Sequence, residues 1–139
     1  MDSTNFEIED NIYISYEGVL YDLHNDYDFV NYKENQQNNS VVLNWKLGSY
    51  EWVKPNQPKS IELEIKGITK FKVEPGRIDA SKIDQVTLEE VAYLTEAEWC
   101  NGPFTTPKPP ETSWDWVFIF ESDLWLTINA KSATAKIHP

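Results

Sequence analysis

The chain has 139 residues, 40% of them hydrophobic and 14% aromatic, with a formal net charge of −11 at pH 7. That length suits one domain over residues 1–139 with a single filled core, and the charge argues against nucleic acid as a partner, because phosphate binding needs clustered Lys and Arg. No apolar run approaches the roughly 20 residues of a membrane span, and Cys100, the single cysteine, allows no internal disulfide.

The opening, Met1 to Asn5, lacks the basic and apolar regions of a secretory signal, so the cytoplasm is the expected compartment. The charge is unevenly spread. Residues 1–34 hold nine acids against Lys33 alone, and residues 84–123 hold nine against Lys108 alone. Residues 54–82 carry seven Lys or Arg against four acids. Acidic ends would attract a basic partner and speed the encounter, although acidity also serves solubility by itself.

In chain order, residues 1–11 read as polar and loose apart from Phe6 and Ile8. Ile12 to Tyr16 is a short strand stopped by Glu17-Gly18. Tyr27, Phe29 and Asn31 alternate with Asp28, Val30 and Tyr32. Val41, Leu43 and Trp45 alternate with Val42, Asn44 and Lys46. The polar stretch Asn35 to Ser40 joins these two runs as an antiparallel hairpin. Residues 48–60 contain Pro55 and Pro58 and read as loop or edge, anchored by Trp52. Ile61, Leu63 and Ile65 oppose Glu62, Glu64 and Lys66 in the cleanest alternation of the chain, that of a half-solvated antiparallel strand. At Gly67 either a bulge bends one long strand or a tight connection divides two. Phe71 and Val73 then resume the alternation up to Pro75-Gly76.

Residues 77–99 fit two descriptions. Thr87-Leu88-Glu89-Glu90 matches a capping box opening a helix, while Val86, Leu88, Val91 and Tyr93 match a bulged strand. Residues 100–113 hold Gly102, Phe104 and four prolines, and form a long irregular loop of the kind that carries function or is merely mobile.

The run Ser113 to Ala130 is the hub of the chain, two apolar strands about a Ser122-Asp123 turn. Pairing Glu121 with Leu124 puts Val117, Ile119, Leu126 and Ile128 on one face, and Trp114, Trp116, Phe118, Phe120 and Trp125 on the other. One more loop residue would flip one strand relative to the other. Both faces are apolar, so the hairpin is expected to be central and covered on both sides. Residues 133–137 add a short last strand. The sum is a mainly β, antiparallel domain, a sandwich or strongly curved sheet of about six to eight strands with at most one short helix.

The chemistry is sparse. There is no glycine-rich phosphate loop, no nucleophile elbow and no paired-cysteine motif, so neither an enzyme nor a cofactor is expected. Cys100 has only His24 and His138 as candidate bases, and His138 reads as part of a mobile tail. Asp22-Leu23-His24-Asn25-Asp26-Tyr27-Asp28 is the one dense polar constellation. It lacks metal-ligand spacing, and a strand-capping turn built on Asx hydrogen bonds accounts for the same residues.

The Leu-His-Asn-Asp-Tyr-Asp-Phe stretch at 23–29, strands with Trp45, and the closing hairpin at 114–130 resemble in layout small bacterial β-rich domains with a Leu-His-Asp element near the start. Some families of this kind are proposed immunity proteins of toxin systems. Asn25 departs from the Leu-His-Asp pattern, and the resemblance assigns no functional residue.

Two functions of different class follow. One is a non-catalytic acidic protein that recognises a basic protein partner, as an immunity-type inhibitor would. The other is a small-molecule or glycan-binding module using an aromatic face. The candidate binding residues are Asp22, His24, Asp26, Asp28, Phe104, Trp114, Trp116 and Trp125. A flat acidic face favours the first function and an exposed aromatic platform beside a pocket favours the second.

Overall fold

The computed structural model describes residues 3–94 and 115–139. Within them the elements are β1 (Ser3–Thr4), β2 (Glu7–Glu9), β3 (Tyr13–Tyr16), β4 (Val19–Asp22), β5 (Tyr27–Asn35), β6 (Ser40–Leu47), β7 (Ser60–Lys66), β8 (Lys70–Glu74), α1 (Lys82–Val86), β9 (Leu88–Leu94), β10 (Asp115–Phe120), β11 (Trp125–Asn129) and β12 (Ser132–His138). They form a five-stranded sheet ordered β1-β12-β7-β6-β5, a four-stranded sheet ordered β8-β11-β10-β9, and a three-stranded meander, β2-β3-β4. Every pairing among the described residues is antiparallel except that of β1, whose two residues run parallel to β12. The expected mainly β, sandwich-like class with one short helix is the one observed.

The two larger sheets face each other across one core. Val41, Leu43 and Trp45 of β6 and Ile61, Leu63 and Ile65 of β7 are buried on one side, as their alternation requires. Trp116, Phe118, Phe120, Leu126 and Ile128 are buried on the other. Aromatic pairs join the layers, Trp45 to Phe118 at 6.3 Å and Phe29 to Phe120 at 4.5 Å between ring centroids. The meander adds Ile8, Ile14 and Tyr21 to the same cluster.

One ribbon serves both sheets. β7 pairs with β12 in the five-stranded sheet, and β8 pairs with β11 in the four-stranded one. Between the pairs Lys66↔Ser132 and Lys70↔Asn129 lie three residues on one strand and two on the other. The extra residue is a bulge at the corner where the ribbon turns from one sheet into the next. Both descriptions of Gly67 are therefore partly right, since a bulge bends the chain and the bend divides two strands. Gly67 has φ +70, and a Cβ there would lie 2.9 Å from the Lys131 side chain, so only glycine fits.

Several expectations change. In the closing hairpin Phe118 pairs with Leu126 and Ile119 with Trp125, so the turn has three residues, Glu121 to Asp123, with Phe120 N–H donating to Leu124 O at 3.0 Å. Asp123 has φ +69, the left-handed residue that closes a three-residue hairpin loop. The one-residue shift moves Leu126 and Ile128 onto the face of Trp116, Phe118 and Phe120. It sends Trp125 to the other face, beside the buried Val117 and Ile119. In β5, Val30 is a bulge between Phe29↔Trp45 and Asn31↔Asn44, which puts Asn31 outside and returns Tyr32 toward Phe71.

Residues 77–94 hold both a helix and a strand. Ser81, whose hydroxyl accepts from Asp84 N–H, caps α1, and Thr87 ends it, so the Thr87 capping box does not form. β9 follows as the bulged strand, with Glu89 the extra residue between Ile119↔Glu90 and Phe120↔Leu88. Residues 3–11 are not loose: Phe6 and Ile8 are core, and β1 and β2 pair with β12 and β3. His138 is no tail, because it lies in β12 opposite Ser60. The strands number twelve among the described residues, more than expected, because the short N-terminal pieces also pair.

Two stability tests follow. Phe118→Ala empties the centre of the inter-sheet layer and should lower stability by about 3–5 kcal/mol, read as a fall in the urea midpoint. Glu17 sits at φ +50 in the two-residue turn between Tyr16 and Val19. Glu17→Asn creates the Asn-Gly pair such turns favour, and should raise stability by roughly 0.5–1 kcal/mol.

Candidate functional site

Residues 22–28 connect the meander to the five-stranded sheet, and hydrogen bonds fix them throughout. One Asp22 carboxylate oxygen accepts from the backbone N–H groups of His24 (2.9 Å) and Asn25 (2.8 Å), and the other accepts from the Asn25 amide at 2.9 Å. This is the strand-capping Asx turn that the residue types suggested. Leu23 is buried, and Tyr27 OH donates to Pro58 O at 2.9 Å. His24 turns away from the carboxylates, and its Nδ1–H donates to Leu88 O. The three aspartates thus do not converge on one point, and among the described residues no group of three or more His, Cys, Asp or Glu is placed to hold a metal ion.

The contact between His24 and Leu88 does something else: it brings the two acidic segments together. Val91 N–H donates to Asn11 O at 2.7 Å, and Glu121 N–H donates to Thr87 O at 2.9 Å. The outer face of the meander carries Glu7, Glu9 and Asp22, since Glu9 pairs with Tyr13 and Tyr13 with Asp22. Asp10 precedes Asn11, whose carbonyl accepts from Val91 of β9, and the bulge of β9 presents Glu89 beside Glu121 and Asp123. Burial, and then the charges of Glu121 and Asp123, push the Glu89 carboxyl above its ordinary value, with His24 acting the other way. Arg77 is the cation at this border, held by Asp123 at 3.0 Å and Asp84 at 3.5 Å. Along β5, Glu34 stands six residues from Asp28, roughly 20 Å.

A second feature adjoins the 22–28 turn. The 48–58 loop stacks the Trp52 ring on Tyr50, with centroids 4.8 Å apart and planes at 2°. Trp52 Nε1–H donates to Asn25 O at 2.8 Å, and Tyr50 OH donates to Asp28 Oδ1 at 2.9 Å. Gly48 makes room, because a Cβ there would lie 2.8 Å from the Tyr50 ring. Gly48 N–H donates to Asp26 O at 2.8 Å, and Gln57 reaches the Asp26 carboxylate at 3.3 Å. Burial and the Asp28 bond push the Tyr50 phenol up. Trp52 nevertheless remains 61% exposed.

The other tryptophans stand elsewhere. Trp116 is 2% exposed, packed edge-on against Phe6 and Tyr93, with no ring face offered to solvent. Trp125 is half-buried on the opposite face of the hairpin. Phe104 and Trp114, like Cys100, lie outside the described residues. The sequence gives no sign of Tyr50 as a partner, and Trp52 reads there as the anchor of the loop. A pair of aromatics two apart in a Pro-rich loop was the only signal.

Compared with known protein families, curated proteins and solved structures, the chain matches none.

The raised Glu89 carboxyl gives a test of the acidic cluster. A carboxyl whose folded value lies above its ordinary 4.5 stabilises the fold below that pH and loses the contribution as pH rises through the folded value. Glu89→Gln should therefore raise the thermal midpoint at pH 7. The gain should vanish below about pH 4.5, and a gain equal at both pH values would mean that charge is not its cause.

Proposed function

We propose that this chain is a non-catalytic binding protein that docks a basic protein partner on its acidic face. The observation that supports the reading is the junction of the two acid-rich segments, where Glu9, Asp10, Asp22, Glu89, Glu121 and Asp123 share one region around β9 and the meander. Residues 1–32 contribute no Lys or Arg to it. A continuous negative face raises encounter rates with positive proteins and rejects negative ones. An immunity-type inhibitor, as the resemblance implies, is one protein that would work this way.

The small-ligand alternative has a different support. An open cleft of about 460 Å³ lies between the β5 bulge and α1, with Val30, Tyr32, Val86 and Leu124 among its lining. Among the described residues, Trp116, Phe118 and Phe120 of the expected aromatic face are buried and none of them lines this cleft.

Association with a lysine- and arginine-rich protein, followed by stopped flow, should slow steeply with salt as the Debye length falls from about 10 Å at 0.1 M to about 3 Å at 1 M. Glu9→Lys with Glu89→Lys should slow association more than it speeds dissociation. Rates indifferent to salt and to both reversals would refute the reading.

A further inference from the structure

We infer that the exposed face of Trp52 is an anchor for an arginine side chain of the basic partner, whose guanidinium lies flat on the indole with its N–H groups available to the Asp26 carboxylate. The inference rests on the basic-partner reading above and goes further, to a residue and a side-chain chemistry.

Three observations support it. First, the ring is exposed but not free to move. Its N–H is committed to Asn25 O, and its inner face is stacked on Tyr50 at 2°. An exposed, rigidly held tryptophan loses little side-chain entropy on binding, which is why such residues dominate interfaces. Second, the stack has an anion at its edge. Asp28 accepts from Tyr50 OH at 2.9 Å, so a carboxylate lies at the hydroxyl edge of the stacked pair. A cation on the open face is attracted by that charge, and a neutral sugar ring gains no such Coulomb attraction.

Third, the local charge selects the kind of cation. Lys46 lies opposite Asp28 in the β5–β6 register, and Lys54 follows in the same loop as Trp52. These lysines offset much of the charge of Asp26, Asp28 and Glu51, so a point charge is only weakly attracted here. Ring stacking must supply the selectivity. A guanidinium is planar, weakly hydrated and able to stack and donate at once, and an ammonium is none of these. Asp26 can receive its N–H groups, since a carboxylate has about four acceptor sites and Gln57 uses one at 3.3 Å.

The test titrates the full chain with arginine and lysine homopeptides of equal length, and with a neutral maltooligosaccharide. The arginine peptide should bind about two- to fivefold more tightly than the lysine peptide. Trp52→Ala should remove that difference by weakening the arginine peptide alone, with the urea midpoint confirming the fold. Trp52→Phe, which can still stack on Tyr50 but loses the Asn25 bond and offers a poorer ring, should retain part of the difference. Equal, salt-sensitive binding of both peptides would overturn the anchor and leave the acidic reading standing. Failure of both peptides to bind would overturn both. Saccharide binding that depends on Trp52 would make the stack a sugar platform instead.

Discussion

The sandwich depends on the corner at Gly67, where one antiparallel ribbon leaves the five-stranded sheet and enters the four-stranded one. β7 and β12 form its first half, β8 and β11 its second. The chain passes this point twice, and Lys131 N–H donates to the carbonyls of Lys66 (3.1 Å) and Gly67 (3.2 Å). A ribbon shared between two sheets brings their inner faces into contact without a long connection. Any side chain at Gly67 would have to displace Lys131 and adopt a left-handed backbone. The Trp45–Phe118 layer and everything packed on it follow from that bend.

A second constraint acts within the four-stranded sheet. The left-handed Asp123 sets the hairpin turn at three residues, and the turn length decides which side chains of β11 face the core. With a two-residue turn, Leu126 and Ile128 would face away from Phe118. Asp123 also holds Arg77 through its carboxylate at 3.0 Å, so the residue that sets the register also takes part in the charge of the acidic face. Structure and electrostatics are coupled at this position.

Period-two alternation made β5, β6, β7 and β10 legible, because a strand with one face in the core repeats every second residue whatever its neighbours. What stayed illegible was each place where a single residue changes the count. Val30, Glu89 and the third residue of the 121–123 turn each shift a register by one, and nothing in their side chains announces it. α1 lay hidden because the Ser81 cap stands six residues before the Thr87 signal that imitates one. The Asx turn at Asp22 was legible since it needs only local hydrogen bonds. The contact of His24 with Leu88, 64 residues apart, is a product of the fold. Whether the acidic segments meet could therefore not be read from their composition.

The exposure of Trp52 belongs to the same class of information. An indole amid prolines reads as an anchor, because burial is the common fate of so large an apolar ring. Here the anchoring runs the other way: Asn25, Tyr50 and Gly48 hold the ring while one face stays in water. Each of these contacts removes motion without covering the surface, and none improves the core. Tyr50 in turn gives a hydroxyl bond to Asp28, and its phenol is raised from its ordinary value by burial and that bond. A loop that orders an exposed tryptophan with this many specific contacts keeps apolar surface in water at a stability disadvantage, and binding of a flat cation on that surface removes the disadvantage.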